Sequence, residues 1–274
     1  MAGVLYIVAT PIGNLEDITA RALRVLGEVD LIAAEDTRET RKLLSRYEIA
    51  TPLTSYYDSI EAAKAPHLIE QLNEGKNIAL VSDAGTPMLS DPGMKLAQRA
   101  IAQNIRVVPI PGPSALAAAL SAGGLPVERF VFEGFLPAKR TERRKKLRLL
   151  CSEQRTLFFF EAPHRLPETL NDVLEILGDR QMVLAREITK VHEEFLRGAV
   201  SEVIAESRRR QLKGEITLIV SGAVEAEPAP PESLEAEIHS LRRKGARIKE
   251  IAQALGEKYG LPKREVYRIA LETK

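Results

Sequence analysis

A chain of 274 residues, 45% hydrophobic and 28% charged, carries enough apolar side chain for one large or two ordinary domains, and its composition excludes a disordered chain. A formal net charge of +1 excludes a chain-wide basic field, so a nucleic-acid partner must be met by a local patch. The lone cysteine, Cys151, excludes a disulfide framework, no apolar run reaches the length of a membrane span, and the opening residues lack a basic segment and are broken by Pro11 and Gly13; the expectation is a cytoplasmic protein with no membrane partner.

Residues 4–9, 29–34, 77–82 and 106–110 are short apolar runs that read as buried strands. Between them lie amphipathic stretches. Ile60, Leu68, Ile69 and Leu72 mark a helix over 59–73, and Ala97, Ala100 and Ile101 mark one over 93–104. Buried strands alternating with helices imply a mostly parallel sheet. A small-residue helix over 115–122 ends at Gly123 and Gly124, where a domain boundary is placed. The second half restarts with a strand at 130–132, a basic stretch, and a strand at 155–160. Leu166, Leu170, Val173, Leu174 and Leu177 mark the next helix, and 181–187, 194–200 and 215–221 read as further strands. Fewer helices separate these strands, so the second sheet is expected to be mixed. Residues 225–231 read as a linker by composition, and three short helical stripes follow it, with Gly245 and Gly260 as breaks and Pro262 opening the third. The division expected is an α/β domain at 1–122, a second at 123–224, and a linker with a small helix-turn-helix-like tail at 225–274.

Several chemistries are excluded by what is missing. There is no P-loop, no G-x-G-x-x-G fingerprint and no G-x-S-x-G elbow. Four scattered histidines and one cysteine give no metal-ligand spacing, so no metal is expected. What remains is three loops rich in Pro, Gly and Asp, at 10–14, 83–87 and 111–114, each following the carboxyl end of an expected strand. In open α/β sheets ligands bind at that edge.

Eight ordered segments carry a resemblance: LYIVATPIGNLEDIT (5–19), AAEDTR (33–38), SDAGTPMLSDPG (82–93), PGPSA (111–115), FEGFLPAK (132–139), EAPHR (161–165), REITKVHEE (186–194) and GEITLIV (214–220). They resemble the tetrapyrrole methylase superfamily, and within it the branch that methylates small-subunit ribosomal RNA. The resemblance implies two α/β domains with an S-adenosylmethionine cleft between them. It implies that Ser82, Asp83, Gly85, Thr86, Pro87 and Met88 cradle the cofactor and that Ser114 and Ala115 begin a helix packed on it. Thr10, Pro11 and Gly13 then line the cleft, and Phe160, Glu161, Glu215 and Thr217 close it from the second domain. A homodimer is implied as well, and so is a cytidine ribose 2′-hydroxyl as acceptor, in naked RNA or an assembled small subunit.

A ribose hydroxyl is a weak nucleophile, so a base or a cation near the developing alkoxide would help. Glu35, Asp36, Glu161, His164 and Glu187 are candidate bases, and Lys190 or Arg165 could stabilise charge; sequence alone does not choose among them. The expected RNA contacts are Arg38, Arg165 and the run over 139–148, with seven basic residues against one acid: Lys139, Arg140, Arg143, Arg144, Lys145 and Lys146 are its leading members. The basic tail is a second possible contact, or else a helical cap or dimer element. Two other functions stay open: methylation of a tetrapyrrole intermediate, which needs no such basic run, and a non-catalytic ribosome-binding module, which needs no cofactor cleft.

Overall fold

Each apolar run of the first half becomes a strand that helices cover on both faces. In a computed structural model, which describes residues 2–210, 212–224 and 231–272, these elements are β1 (Val4–Val8), α1 (Ala20–Glu28), β2 (Leu31–Ala34), α2 (Thr37–Arg46), β3 (Leu53–Ser55), α3 (Asp58–Asn73), β4 (Ile78–Val81), α4 (Met94–Ala102), β5 (Arg106–Ile110) and α5 (Ala115–Gly123). The strands form one parallel sheet in the order β3-β2-β4-β1-β5. Leu5, Leu68, Leu72 and Leu96 fill one face of it, and Val8, Leu26, Ile32 and Leu43 the other, which is why the strands read as continuous apolar runs. The edge strand β3 was not expected: Leu53-Thr54-Ser55 is three residues long and has no apolar run to announce it.

The second half comprises β6 (Phe130–Phe135), α6 (Arg140–Leu149), β7 (Thr156–Glu161), α7 (Leu166–Leu177), β8 (Gln181–Arg186), β9 (Glu194–Ala199), α8 (Val200–Arg208) and β10 (Ile216–Val220). Its sheet runs β6-β7-β10-β8-β9 and is mixed as expected, with β6 parallel to β7 and the other pairs antiparallel. The expected strand at 194–200 stops at Ala199. Val200 opens α8 instead, its buried Val200, Val203 and Ile204 showing helical spacing.

The helix α5 ties the two sheets together. Ala119 and Leu120 join Phe158, Val183 and Ile219 of the second sheet in one core. Arg197 of β9 donates to two carbonyls at the end of α5, Nη2 to Ala122 O at 2.7 Å and Nε to Gly123 O at 3.1 Å, so the helix ends against the other sheet with two of its last acceptors satisfied. Both sheets belong to the compact unit Met1–Ala223, and Val224–Lys274 forms a second. In that second unit α9 (Pro231–Arg243), α10 (Ile248–Tyr259) and α11 (Lys263–Glu272) pack around Ile238, Ile251, Leu255 and Val266. The expected linker falls outside the described residues except for Pro231, which opens α9. Among the described residues no helix is long and apolar enough to cross a membrane.

Candidate active site

The loops after β4, β1 and β5 meet because those three strands are neighbours. Thr10 and Gly85 exchange backbone hydrogen bonds of 2.9 and 3.0 Å, and the Thr86 hydroxyl donates to Pro113 O at 3.2 Å. Gly85 has φ +77, and a Cβ there would stand 3.2 Å from Ile12 Cγ2, so glycine suits both the turn and the close approach of loops. The second sheet supplies the opposite wall from the end of β7 and the start of β10. Phe160 is held there edge-on by Phe132 and Phe158, with centroid distances of 5.4 Å to each.

Between the walls lies a cleft with two lobes that share Ile12, Asp83, Ala84 and Glu215. One lobe, of ≈430 Å³, is faced by Glu35, Asp83, Asp91, Thr86, Phe160 and Thr217. The other, of ≈320 Å³, is faced by Thr10, Gly13, Ser82, Lys42 and Lys190.

The larger lobe is a carboxylate wall. Burial pushes the Glu35 carboxyl up to about 7 against the Asp83 amide bonded to it, with Asp91, Asp83 and Asp58 adding smaller repulsions. Burial also lifts Asp91 to about 6, against a hydrogen bond from Ser82. Asp83 stands at the open rim, yet loss of solvent between the loops moves its carboxyl upward too; its Oδ1 accepts from the Asp36 amide at 2.8 Å. Three acids crowded this way leave the lobe short of a positive charge.

The smaller lobe is organised around Lys190. Its ammonium lies 2.9 Å from Glu187 Oε1 and 3.2 Å from Glu215 Oε2. Burial opposes the charge, but these two carboxylates raise the lysine, so it stays an ammonium. Glu187 is likewise pushed up by burial and then held below its ordinary range by Lys190 and the Glu215 amide. The lysine stem crosses over Gly13, where a Cβ would come within 2.3 Å of Lys190 Cγ and 3.1 Å of Thr189 Oγ1. Gly13→Ala is therefore expected to drive Lys190 from its carboxylates and lower turnover by about 10- to 100-fold while the thermal midpoint stays close to the parent's. Steady-state kinetics with a melting curve check this; unchanged turnover would remove Lys190 from the machinery.

Of the residues expected to hold the cofactor, Asp83, Gly85, Thr86, Ser114, Ala115, Phe160, Glu215 and Thr217 line the larger lobe, and Thr10, Pro11, Gly13 and Ser82 the smaller. Pro87 and Met88 line neither. Met88 takes φ +70 and packs against the core under α4, since this turn sends its side chain inward. Among the candidate bases, Asp36 caps α2 and is held at about 2 by Arg38, so it is no proton acceptor near neutrality. Glu161 lines the larger lobe but is buried, with one oxygen engaged by the Ala162 amide at 2.8 Å and the other by the Thr169 hydroxyl at 2.5 Å. His164 is exposed and lies outside both lobes.

The basic run needs the largest correction. It forms α6, but Arg143 is fully buried and Arg144 mostly so. Both are bound by Asp172 of α7, with Glu168 and Glu175 alongside, so the charges expected to meet phosphate meet carboxylates instead. Arg165 is turned inward as well, with Nη2 on Leu136 O and Nε 3.3 Å from Glu161 Oε1 without hydrogen-bond geometry. Lys146 pairs with Glu133 at 2.6 Å, leaving Lys139 at the N-cap and Arg140 and Lys145 on the helix as the exposed cations of the candidate set. Arg38 is exposed on α2. Sequence reasoning missed Asp91, Phe135 and Lys42. Asp91 sits within the SDPG turn formers, whereas Lys42 gave no signal beyond a helical charge.

Comparison with known proteins gives the family. The family model for tetrapyrrole (corrin/porphyrin) methylases matches residues 4–204. The chain is 49% identical over 272 residues to a Halalkalibacterium halodurans protein named ribosomal RNA small subunit methyltransferase I, covering 97% of this chain and 94% of that one. A Synechocystis protein of the same name is 48% identical over 273 residues, with 98% of each chain covered. Among solved structures, a cobalt precorrin-4 methyltransferase superposes with a TM-score of 0.61 at 17% identity, covering 80% of this chain and 94% of that one. A Thermus thermophilus uroporphyrin-III C-methyl transferase complexed with S-adenyl homocysteine gives 0.57 at 18% identity, covering 80% and 97%. With the family model spanning most of its length and relatives near half identity over nearly all of it, the chain belongs to the tetrapyrrole (corrin/porphyrin) methylase family.

Proposed function

We propose that the chain is an S-adenosylmethionine-dependent methyltransferase of small-subunit ribosomal RNA, acting on the ribose 2′-hydroxyl of a cytidine. The observation that carries this reading is the carboxylate wall of the larger lobe. Glu35, Asp83 and Asp91, backed by Phe160 and Ile12, suit a cationic ligand with an apolar body, and S-adenosylmethionine is one. When bound, it supplies a methyl group already activated on a sulfonium. Asp83, Thr86, Ser114, Ala115, Phe160 and Thr217 would hold it, with Asp91 completing the charge. The chain's own task is then positioning and excluding water. Glu35, raised to about 7, is the candidate acceptor of the hydroxyl proton. Lys190 keeps a fixed positive charge in the adjoining lobe, where a developing alkoxide or a phosphate would be stabilised.

The names of the relatives support the RNA substrate, and so does the surface next to the smaller lobe. Lys42 lines that lobe and also a cradle on the outer face of α2 with Arg38 and Arg41. A basic face that begins at the cleft mouth fits a phosphate backbone leading in. A homodimer acting in the cytoplasm is part of the same reading, on the strength of the family resemblance and of the exposed free thiol of Cys151. So is a division into α/β domains at 1–122 and 123–224, where the chain changes sheets after α5.

The test is incubation with labelled S-adenosylmethionine and three acceptors: unmodified small subunits, naked small-subunit RNA and a uroporphyrinogen. Label recovered as a 2′-O-methylcytidine is the expected result. Label in the tetrapyrrole alone would overturn the RNA reading and leave a small-molecule methylase.

A further inference from the structure

Beside the cleft, α7 and α8 enclose a second groove of ≈400 Å³. Leu166, Leu170, Ile204 and Leu212 form its apolar lining, each less than a tenth exposed. His164, Arg208, Arg210 and Lys213 stand around it, and among the described residues no carboxylate lines it. Pro163 and Gly214 line both this groove and the larger lobe, so the two cavities share a rim. These basic groups are not equally engaged. Arg210 pairs with Glu194, and Arg208 donates to Asn171 at 3.1 Å. Among the described residues, the exposed Lys213 ammonium and the His164 ring have no side-chain partner.

An apolar floor with a basic rim fits a base lying flat with its phosphate at the edge. The larger lobe beside it is acidic and repels phosphate. An apolar lining alone would be satisfied by any hydrophobic partner, but a basic rim on which Lys213 keeps an unpaired ammonium selects an anion. We infer that this groove holds a nucleotide flanking the methylated one, its base over Leu166 and Leu170 and its phosphate at Lys213 and His164. The inference rests on the RNA reading above and gives His164 a substrate-binding role in place of a catalytic one.

The test compares Lys213→Glu, which reverses the free charge, with Ser207→Trp, which fills the groove from the half-exposed face of α8. Methylation of unmodified small subunits is followed at several salt concentrations, and S-adenosylmethionine binding is measured by calorimetry. The expected result is a KM for the subunit raised about 5- to 10-fold in each variant and a salt dependence shallower by about one charge in Lys213→Glu. Cofactor affinity should stay within about twofold and kcat should change less than KM. Unchanged KM in both variants, against a parent that methylates RNA, would overturn the groove assignment alone. Loss of cofactor binding would also overturn it, by making the groove a support of the neighbouring lobe. A parent that labels no RNA at all would overturn this inference together with the functional reading.

Discussion

Asp172→Ala is expected to cost the protein about 3–5 kcal/mol of stability, the range for stripping a partner from a buried ion pair. Asp172 is 1% exposed and accepts from Arg143 Nε at 2.8 Å, Arg144 Nη1 at 2.9 Å and Arg140 Nε at 3.3 Å. Arg143 is itself fully buried. Without Asp172 its guanidinium keeps only Glu168, itself mostly exposed, at 3.1 Å and a long contact to Ala138 O. A shift of roughly 6–20 °C in thermal midpoint follows for a unit of this size. Arg144→Ala should cost much less, because Arg144 is partly exposed and Arg143 keeps its carboxylate. The pH dependence has a definite sign. Burial pushes the Asp172 carboxyl up, but its three arginines prevail and lower it. The stabilisation is therefore full above the ordinary aspartate range and is lost as pH falls through the lowered value. Urea unfolding of both variants at pH 7, and of the parent down to acid pH, measures all of this. A cost below about 1 kcal/mol for Asp172→Ala would mean that α6 swings free in solution, restoring Arg143 and Arg144 as RNA contacts.

That arginine cluster shows where the sequence stops being legible. Seven cations in ten residues give the same signal whether they face phosphate or carboxylate. The deciding partner, Asp172, is separated from Arg143 by 29 residues and reads as one more polar position on α7. The three cleft loops could be read because their turn residues are local and their strands announce themselves by apolar runs. Their meeting needed β4, β1 and β5 to be neighbours, a property of the strand order. The inward course of the Met88 side chain could not be read either: a positive φ reverses the direction of a side chain, and no composition rule shows it. His164 lay inside a recognisable segment, yet its ring faces a neighbouring groove, so a segment located the region but not the role. Glu35 and Asp91 owe their altered acidity to burial and mutual repulsion across loops about fifty residues apart in sequence, which only the folded chain brings together.

The affinity for S-adenosylmethionine is expected to fall by about 10- to 100-fold between pH 8 and pH 5.5, one or two protonation steps' worth of binding energy. Burial raises Glu35 to about 7 and Asp91 to about 6, and Asp83 moves in the same direction. Well above pH 7 Glu35 and Asp91 are ionised and face the cationic ligand; as pH falls through about 7 and then about 6 they take up protons and that part of the attraction goes. A bound cation must also draw these values back down, so binding near pH 6.5 should release protons, visible as a dependence of the calorimetric heat on the buffer's ionisation enthalpy. Stability of the ligand-free chain runs the opposite way. Acids with raised values hold protons more tightly folded than unfolded, so their contribution shrinks as pH rises from about 4.5 to 7. Ligand stabilisation should consequently be largest at alkaline pH, where the empty wall is most strained by its own charge. Asp91→Asn and Glu35→Gln should each weaken binding at pH 8, flatten the pH profile and reduce proton release. Loss of turnover beyond loss of binding in Glu35→Gln would single it out as the proton acceptor. A pH-independent affinity with no proton release would mean that the wall does not face the cofactor's charge, and the assignment of the two lobes would have to be exchanged.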